Sequence, residues 1–259
     1  MKKRMMAVLV MATCMLSFAG CGAKESGMIS EIEDGVLTVG TNAAFPPFEY
    51  VGEDGKPAGF DIALIEAIGE ELGVEVEVQD MEFDSLVAAI GSKIDVAIAG
   101  MTVTDERKEQ VDFSDPYYDA VQYVLVAEGS DIASYDDLKG KAIGSQLGTT
   151  GDFLSEDIQK EDDSTSIHTY NKAVDAVTDL SNGRLDAVIL DKNPAEVFAS
   201  EYDGIVALDG ADFNFETEEY AIALPKGSEE LQKKINEALQ TLKDNGTYDK
   251  LVETYIETE

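Results

Sequence analysis

Residues 98–107 combine the side-chain types that suit a seat for a carboxylate or phosphate. A strand that ends at Gly100 presents bare backbone N–H and C=O groups, and the Thr102 hydroxyl is an adaptable hydrogen-bonding group. The Arg107 guanidinium is a planar fork that matches an anion. The same stretch has a purely structural interpretation, in which Thr104 caps the next helix and Arg107 pairs with a local acid. The stretch alone does not decide between the two.

The elements that must position this stretch alternate between strands and helices. We predict strands at 36–40, 74–78, 94–98, 141–144, 166–170 and 185–190, and helices at 61–72, 84–90, 151–160 and 171–180. The first, second and fourth helices have Asp61, Asp84 and Asn171 as predicted N-caps. The second half therefore repeats the element order of the first, and Asp191 follows its last strand where Gly100 follows the matching one.

This order, strand–helix–strand–helix–strand in each half, is typical of two α/β lobes with parallel sheets. Ligands of such sheets bind beyond the carboxyl ends of the strands. The loops 42–48, 100–107 and 146–150, together with Asp191, all lie at predicted strand ends. If the lobes face each other, these loops converge on one cleft, which favours the anion seat over the structural interpretation of Arg107.

Two further apolar runs, 121–126 and 220–224, are predicted to be paired hinge strands. They would carry the chain from the first lobe to the second and back, and such hinges allow rigid-body closure around a ligand. Helices at 229–245 and 248–256 would rejoin the first lobe. We predict that lobe 1 comprises residues 35–123 and 220–259, and lobe 2 residues 124–219.

The N-terminal residues have the pattern of an export signal. A basic segment, 2–4, precedes an apolar run at 5–19 that is too short to span a bilayer comfortably. Phe18-Ala19-Gly20-Cys21 resembles the lipobox of bacterial lipoproteins, with Phe18 where leucine is commoner. The resemblance implies a signal peptide at 1–20, lipidation of Cys21 and a tether at 21–34. If the apolar run were instead an uncleaved membrane anchor, the domain would still lie on the extracytoplasmic side. We expect a lipid-anchored protein outside the cytoplasm.

Composition excludes several partners. The chain has 53 acidic and 19 basic side chains, a formal net charge of −34. That balance argues against nucleic acid and against docking on anionic lipid through a basic face. Cys14 lies in the leader, so only Cys21 remains after cleavage and no internal disulfide can form. His168 is the single histidine, and we expect neither a His/Cys metal site nor a cofactor.

Five stretches resemble the amino-acid-binding (family 3) extracellular solute-binding proteins of bacterial ABC importers. They are VGTNAAFPPFEY at 39–50, GFD at 59–61, GMTVTDER at 100–107, VDFSDPY at 111–117 and GTT at 148–150. The resemblance covers both halves in the family's order. It implies a two-lobed, periplasmic-binding-protein-like (type II) α/β fold with parallel-dominated sheets and two hinge strands. It also implies a monomer that binds a free amino acid and delivers it to an ABC transporter permease.

The resemblance assigns the two charged ends of the ligand to particular residues. Arg107 would fork the α-carboxylate, helped by the Thr102 hydroxyl and the backbone N–H groups of Thr102 and Thr150. The acid Asp191 and the carbonyl of Gly100 would accept from the α-ammonium. These roles are physically reasonable because a zwitterion that leaves water needs both charges paired.

The ligand's side chain would lie between Phe45 and Phe83, with Asn42 and Gln146 near its tip. Position 42 is often acidic in relatives that bind a cationic or amide side chain, and here a neutral amide replaces that charge. Glu49 or Asp84 could supply a charge instead, and the aromatic pair could stack a cation. We therefore expect a polar amino acid, with basic and amide-bearing ligands both open.

Two other functions use the same fold. One is an enzyme such as a dehydratase, and the other is a ligand-binding module of a membrane receptor. A lone histidine in a predicted strand is usually structural, so His168 is a poor catalytic candidate. We expect no signalling domain beyond the two lobes, which favours a receptor that feeds a permease. We expect no catalytic residue.

Overall fold

The computed structural model describes Ile32 and residues 35–257. The predicted signal peptide, Cys21 and all of the predicted tether except Ile32 lie outside the described residues. Within the part that is described, no helix is long and apolar enough to cross a membrane.

The described residues form fourteen strands and eight α-helices. The strands are β1 Val36–Thr41, β2 Ala44–Phe45, β3 Glu49–Val51, β4 Pro57–Ala58, β5 Glu75–Asp80, β6 Val96–Ala97, β7 Val111–Phe113, β8 Tyr118–Ala127, β9 Ala142–Gln146, β10 Ser166–Tyr170, β11 Ala187–Asp191, β12 Ile205–Leu208, β13 Thr217–Tyr220 and β14 Ala223–Pro225. The helices are α1 Phe60–Leu72, α2 Leu86–Ala89, α3 Asp105–Lys108, α4 Thr150–Glu161, α5 Ala173–Ser181, α6 Lys192–Glu201, α7 Glu229–Asp244 and α8 Thr247–Tyr255. Short 3₁₀ helices lie at Phe83–Ser85, Tyr135–Leu138 and Gly210–Phe213.

Two sheets organise the molecule. The first has the strand order β5-β1-β6-β14-β7, and the second has the order β10-β9-β11-β8-β12. In the first sheet β14 is antiparallel to both of its neighbours, and in the second β8 is. The remaining strands of each sheet point the same way, because β1 is parallel to β5 and β6, and β9 is parallel to β10 and β11. The sheets are therefore parallel-dominated, as predicted, and each exception is a strand that adjoins the hinge.

The hinge is an antiparallel ribbon of β8 and β13, which pairs Thr217 with Val121 and Tyr220 with Tyr118. The predicted second run, 220–224, is not one strand. After Tyr220 the chain makes a bond from the Ala221 N–H to the Met101 carbonyl and then enters the first sheet as β14. We retain the lobe limits 35–123, 124–219 and 220–259 as a proposal. The ribbon residues 118–121 and 217–220 lie at these limits, where the chain passes between the sheets, and form the hinge and not either wall.

Apolar packing on the strand faces fixes both sheets in place. Leu37 and Val39 of β1 are fully buried, and they pack with Leu64, Ile65 and Ile68 of α1 in one cluster. A comparable cluster in the second sheet unites Val188 and Leu190 with the apolar face of α5. Burying one such side chain stabilises the fold by roughly 1.5–3 kcal/mol, so these faces determine which ends of the strands become the site.

Three predicted helix caps are wrong. Helix α1 begins at Phe60 after Gly59, and Asp61 is a buried side chain that bonds elsewhere. Asp84 lies exposed in a 3₁₀ turn, and α2 begins only at Leu86. Asn171 precedes α5, which begins at Ala173 and has no side-chain cap. In each case the local acid or amide pattern is right for a cap, but the helix begins elsewhere, so the side chain cannot reach the first free N–H groups.

Helix α6 and strand β12 were not predicted. Helix α6 directly follows Asp191, and β12 forms the edge of the second sheet beside β8. Pro194 occupies the first turn of α6, where its missing N–H costs nothing. The sequence 192–208 has weak periodicity, and tertiary packing against β8 determines both elements.

Candidate ligand-binding site

All nine residues predicted to contact a ligand line a single cavity, together with Glu49, Ala99 and Thr149. The nine are Asn42, Phe45, Phe83, Gly100, Thr102, Arg107, Gln146, Thr150 and Asp191. The space between them amounts to about 310 Å³, including the part that is open to solvent. The strand-end loops of the two sheets thus converge as predicted. Which of these side chains contacts a ligand remains a prediction.

Arg107 reaches this cavity from the short helix α3. The Thr104 hydroxyl caps that helix by accepting from the Arg107 N–H at 3.2 Å, which confirms the predicted cap. The guanidinium donates from Nη1 to the Thr102 carbonyl at 2.6 Å and from Nη2 to the Gly148 carbonyl at 2.9 Å. Its carbon lies 5.4 Å from the centroid of the Phe83 ring. The Thr104 cap and an Arg107 side chain that lines the cavity therefore occur together. The bonds to the Thr102 and Gly148 carbonyls use two of the five guanidinium N–H donors.

Gly100 permits a close approach of aromatic rings to the backbone. Its φ of +51° is one that L side chains rarely adopt, and a Cβ there would lie 3.1 Å from Phe45 Cε1. The Phe45 ring is fixed from behind by Phe48, with ring centroids 6.2 Å apart and planes at 27°. The Gly100 N–H donates to Asp61 Oδ2 at 2.7 Å. Gly100 and the buried Asp61 together fix the backbone of the loop that follows β6.

Asp191 is a buried acid at the end of β11, with 6% of its surface exposed. Among the described residues its Oδ1 has no hydrogen-bond partner. Burial, followed by the nearby Glu218 carboxylate, raises the pKa of Asp191 to about 7. An oxygen that is buried without a donor is costly, and a ligand cation would satisfy it.

Glu49 is a second acid in the cavity, and both of its carboxyl oxygens lack a hydrogen-bond donor among the described residues. Burial, then the neighbouring Asp61 and Asp191 carboxylates, raise the pKa of Glu49 well above its usual range. Burial also raises the pKa of Asp61 to about 6, although Asp61 accepts from the Gly100 N–H and the Tyr117 hydroxyl. A Glu49 that keeps its proton can donate to Asp61, so the two acids share one negative charge unless a cation arrives.

Two amides face each other across the cavity. Gln146 Nε2 donates to Asn42 Oδ1 at 2.8 Å and to the Asn171 carbonyl at 3.0 Å. Asn42 Nδ2 donates to the Met81 carbonyl at 2.8 Å. These bonds join the loop after β1 to the end of β9. The placement of this pair at the tip of the ligand's side chain stays a prediction.

The hydroxyls of Thr102 and Thr150 both donate to Glu218 Oε2, at 2.6 and 2.8 Å. Glu218 belongs to the hinge strand β13 and was missed by the sequence analysis. It lies in the acidic segment 216–219, which has the pattern of a solvated face. Glu49 was considered only as a source of charge, although its place in the PPFEY motif was the available signal.

Other chemistry-bearing residues lie away from the cavity. His168 is exposed on β10. Among residues 35–257 and Ile32, no group of three or more His, Cys, Asp or Glu side chains is arranged to hold a metal ion.

The geometry agrees with comparisons to known proteins. Residues 37–258 match the model of the bacterial extracellular solute-binding proteins, family 3. The arginine-binding extracellular protein ArtP of Bacillus subtilis (strain 168) is 38% identical over 250 residues, which is 96% of each chain. An ancestral arginine-binding protein bound to arginine superposes with a TM-score of 0.81 at 43% identity, covering 86% of this chain and 98% of its own. An ancestral arginine-binding protein bound to glutamine superposes with a TM-score of 0.80 at 43% identity, covering 86% of this chain and 99% of its own.

The chain therefore belongs to family 3 of the bacterial extracellular solute-binding proteins. Its two-sheet architecture and its hinge ribbon are those of the two-lobed, periplasmic-binding-protein-like (type II) fold.

Proposed function

We propose that this protein is an extracytoplasmic receptor that binds a free amino acid with a cationic side chain, arginine above all, and delivers it to an ABC importer. The observation that carries the choice of side chain is Glu49. It is a buried acid whose oxygens have no donor among the described residues, in a cavity that already contains one acid for an α-ammonium group.

The charges of the cavity can be matched to those of a ligand. Arg107 suits the α-carboxylate and Asp191 suits the α-ammonium. A neutral amino acid satisfies these two and gives Glu49 no charged partner, so Glu49 keeps its proton and donates to Asp61. A guanidinium or ammonium on the side chain pairs the third group, and pairing a buried charge avoids a penalty of several kcal/mol.

The remaining walls also favour a planar cation. Phe45 and Phe83 line the cavity with their rings, and such rings attract cations, a guanidinium most readily through stacking. The amides of Asn42 and Gln146 supply neutral acceptors at the far end. The arginine-binding relatives support this choice, and the glutamine-bound ancestral form indicates that an amide-bearing ligand is the nearest competitor.

The decisive experiment compares arginine with citrulline, which has the same length but an uncharged urea in place of the guanidinium. Calorimetry should show that arginine binds more tightly by about 2 kcal/mol or more, and that Glu49→Gln removes most of this preference. Glu53→Gln, an exposed acid on the adjacent turn, should change neither affinity. Equal binding of both ligands to the unaltered protein would rule out a cationic ligand class, and failure of every common amino acid to bind would rule out the receptor function.

Two further features belong to this proposal. We infer that Cys21 carries a lipid anchor, so Cys21→Ser should release the protein from membranes, and retention there would contradict the anchor. We also infer that the protein acts as a monomer without a cofactor and performs no chemistry on its ligand, since the cavity combines charge-pairing groups with aromatic walls and His168 lies outside it.

A further inference from the structure

Glu218 lies where the two lobes and the hinge meet. One oxygen, Oε2, accepts from the hydroxyls of Thr102 and Thr150. Thr102 follows the strand β6 of the first sheet and forms an isolated antiparallel bridge with Tyr220. Thr150 is the first residue of α4, after the loop 147–149 that follows β9 of the second sheet. A single oxygen atom on the hinge strand therefore joins residues that belong to the two opposite walls of the cleft.

The second hinge strand takes part in the same network. Gln122 of β8 is fully buried, and its Nε2 donates to Thr150 Oγ1 at 3.0 Å. Because the Thr150 hydroxyl accepts from Gln122, its own proton is directed to Glu218. Hydrogen bonds to an ionised acceptor are about twice as strong as neutral ones, so the carboxylate is the strongest member of the chain.

These bonds differ in what lobe separation would do to them. The Thr102–Glu218 bond joins neighbouring strands near the first sheet, since the bridge between Thr102 and Tyr220 holds them together. The Thr150–Glu218 bond depends on the position of α4, which moves with the second sheet. Parting of the sheets would therefore break the bond from Thr150 and keep the one from Thr102.

We propose that Glu218 is a positioning residue that latches the closed form, holding Thr150 against Thr102 through its Oε2 and so slowing the escape of the ligand. This latch rests on the proposed function only in the choice of arginine as the ligand to be measured. The latch joins protein groups, so the closed form should be favoured even before a ligand is added. In this arrangement the hydroxyls of Thr102 and Thr150 are both bonded to Glu218. The backbone N–H groups of the two threonines and the guanidinium of Arg107 are then available to the ligand's carboxylate.

Two substitutions separate geometry from charge. Glu218→Ala removes the acceptor, whereas Glu218→Gln keeps a carbonyl oxygen that can accept from both hydroxyls. Glu219→Ala and Glu219→Gln are matched controls, because Glu219 is the next residue of the same strand and its side chain is exposed. Thermal melting of all four variants checks that each one folds.

The test measures association and dissociation of arginine by stopped flow, with small-angle scattering of the ligand-free and ligand-saturated forms. Glu218→Ala should raise the dissociation rate roughly ten- to a hundredfold with little change in association, since a latch acts after encounter. Glu218→Gln should recover most of that loss, and the Glu219 variants should match the unaltered protein. In scattering, Glu218→Ala should lower the compact fraction of the free protein.

Other outcomes contradict the latch. A dissociation rate for Glu218→Ala within about twofold of the unaltered protein would overturn it, and so would a Gln variant as impaired as the Ala variant. If the unaltered protein bound none of the common amino acids, the proposed function would fail. The latch would then be judged on scattering of the free protein, and equal compact fractions in Glu218→Ala and the unaltered chain would reject it.

Discussion

Three ionisable side chains, Glu49, Arg107 and Asp191, determine what this cavity can accept. Each is at least nine-tenths buried, so water cannot screen it fully, and the acids have elevated pKa values because of that burial. Side chains of this kind are expensive to keep unless a ligand completes them. At the scale of the residue, the site therefore has the properties of a receptor for a molecule that carries several charges in a fixed arrangement.

The raised pKa values predict that binding releases protons. A ligand cation beside Asp191 or Glu49 stabilises the carboxylate, so the pKa of each group falls on binding. The affinity then rises with pH and is lost as the pH falls below about 7, the value for Asp191. Arginine should bind at least about tenfold more weakly at pH 5.5 than at pH 8.

Calorimetry in buffers of different ionisation enthalpy measures this release directly. Citrulline is the control, because it presents only the α-ammonium and should release fewer protons than arginine. Proton uptake, or an affinity for arginine that does not change between pH 5.5 and 8, would contradict the assignment of these acids to ligand cations.

At the scale of the element, the ends of strands carry the site, and they were predicted better than the helix starts. An apolar run that stops at a glycine or an acid marks the region of a strand end: β11 ends at Asp191 as predicted, whereas β6 ends at Ala97, three residues before Gly100. The first residue of a helix depends on where the preceding chain leaves the sheet, and tertiary packing sets that point. For that reason Asp61, an apparent cap, is instead the acceptor that holds the Gly100 N–H.

The same contrast explains which site residues could be foreseen. Six of the nine predicted residues, Asn42, Phe45, Gly100, Thr102, Arg107 and Thr150, lie in the contiguous stretches that carry the family resemblance, and Gln146 and Asp191 lie at predicted strand ends. Glu218 acts through residues that are 116 and 68 positions away along the chain, a pairing that only the hinge ribbon creates. Glu49 presents the opposite case: it lies within a contiguous motif, but its place as the buried first residue of β3 does not show that neither oxygen would find a donor.

Gly100→Ala tests the strand end. The positive φ should cost roughly 1–2 kcal/mol of unfolding free energy, and crowding of Phe45 should add to this and weaken arginine binding. Gly129→Ala is the matched control, since its φ is +81° and no atom lies within 4 Å of the added Cβ. Urea unfolding and calorimetry of both variants separate strain from crowding. Equal stability losses with unchanged arginine affinity in both would show that the Phe45 contact is unimportant.

At the scale of the whole molecule, two sheets and a two-stranded ribbon form a clamp. The first sheet contributes Arg107 and the second contributes Asp191, so the two charged ends of an amino acid would be shared between opposite walls. A ligand held in this way binds the folded, closed form and not the unfolded chain. Ligand binding should therefore be visible as an increase in the stability of the whole protein.

A thermal-shift measurement quantifies this effect. Arginine at 100 times its Kd should add about 2.7 kcal/mol, which corresponds to roughly 5–10 °C for a chain of this size. Arg107→Ala should reduce the shift at the same concentration to below about 3 °C, because removing the partner of a buried carboxylate costs roughly 2–5 kcal/mol. Lys108→Ala, the exposed neighbour in α3, should retain it. A full shift in Arg107→Ala would remove this arginine from the carboxylate seat.

Among the described residues, several hydrogen bonds join the two walls or tie a wall to the hinge, including Arg107 to the Gly148 carbonyl, Gln146 to Asn42, and Thr150 to Glu218. Water can take over every donor and acceptor among them when the walls part, and a bond exchanged for water changes the free energy by about 1 kcal/mol between neutral groups and about 1.5–3 kcal/mol where one partner is charged. These hydrogen bonds between the walls are therefore readily broken and formed again. A receptor that releases one ligand and binds another needs contacts of this kind, because the lobes can separate repeatedly without either of them unfolding.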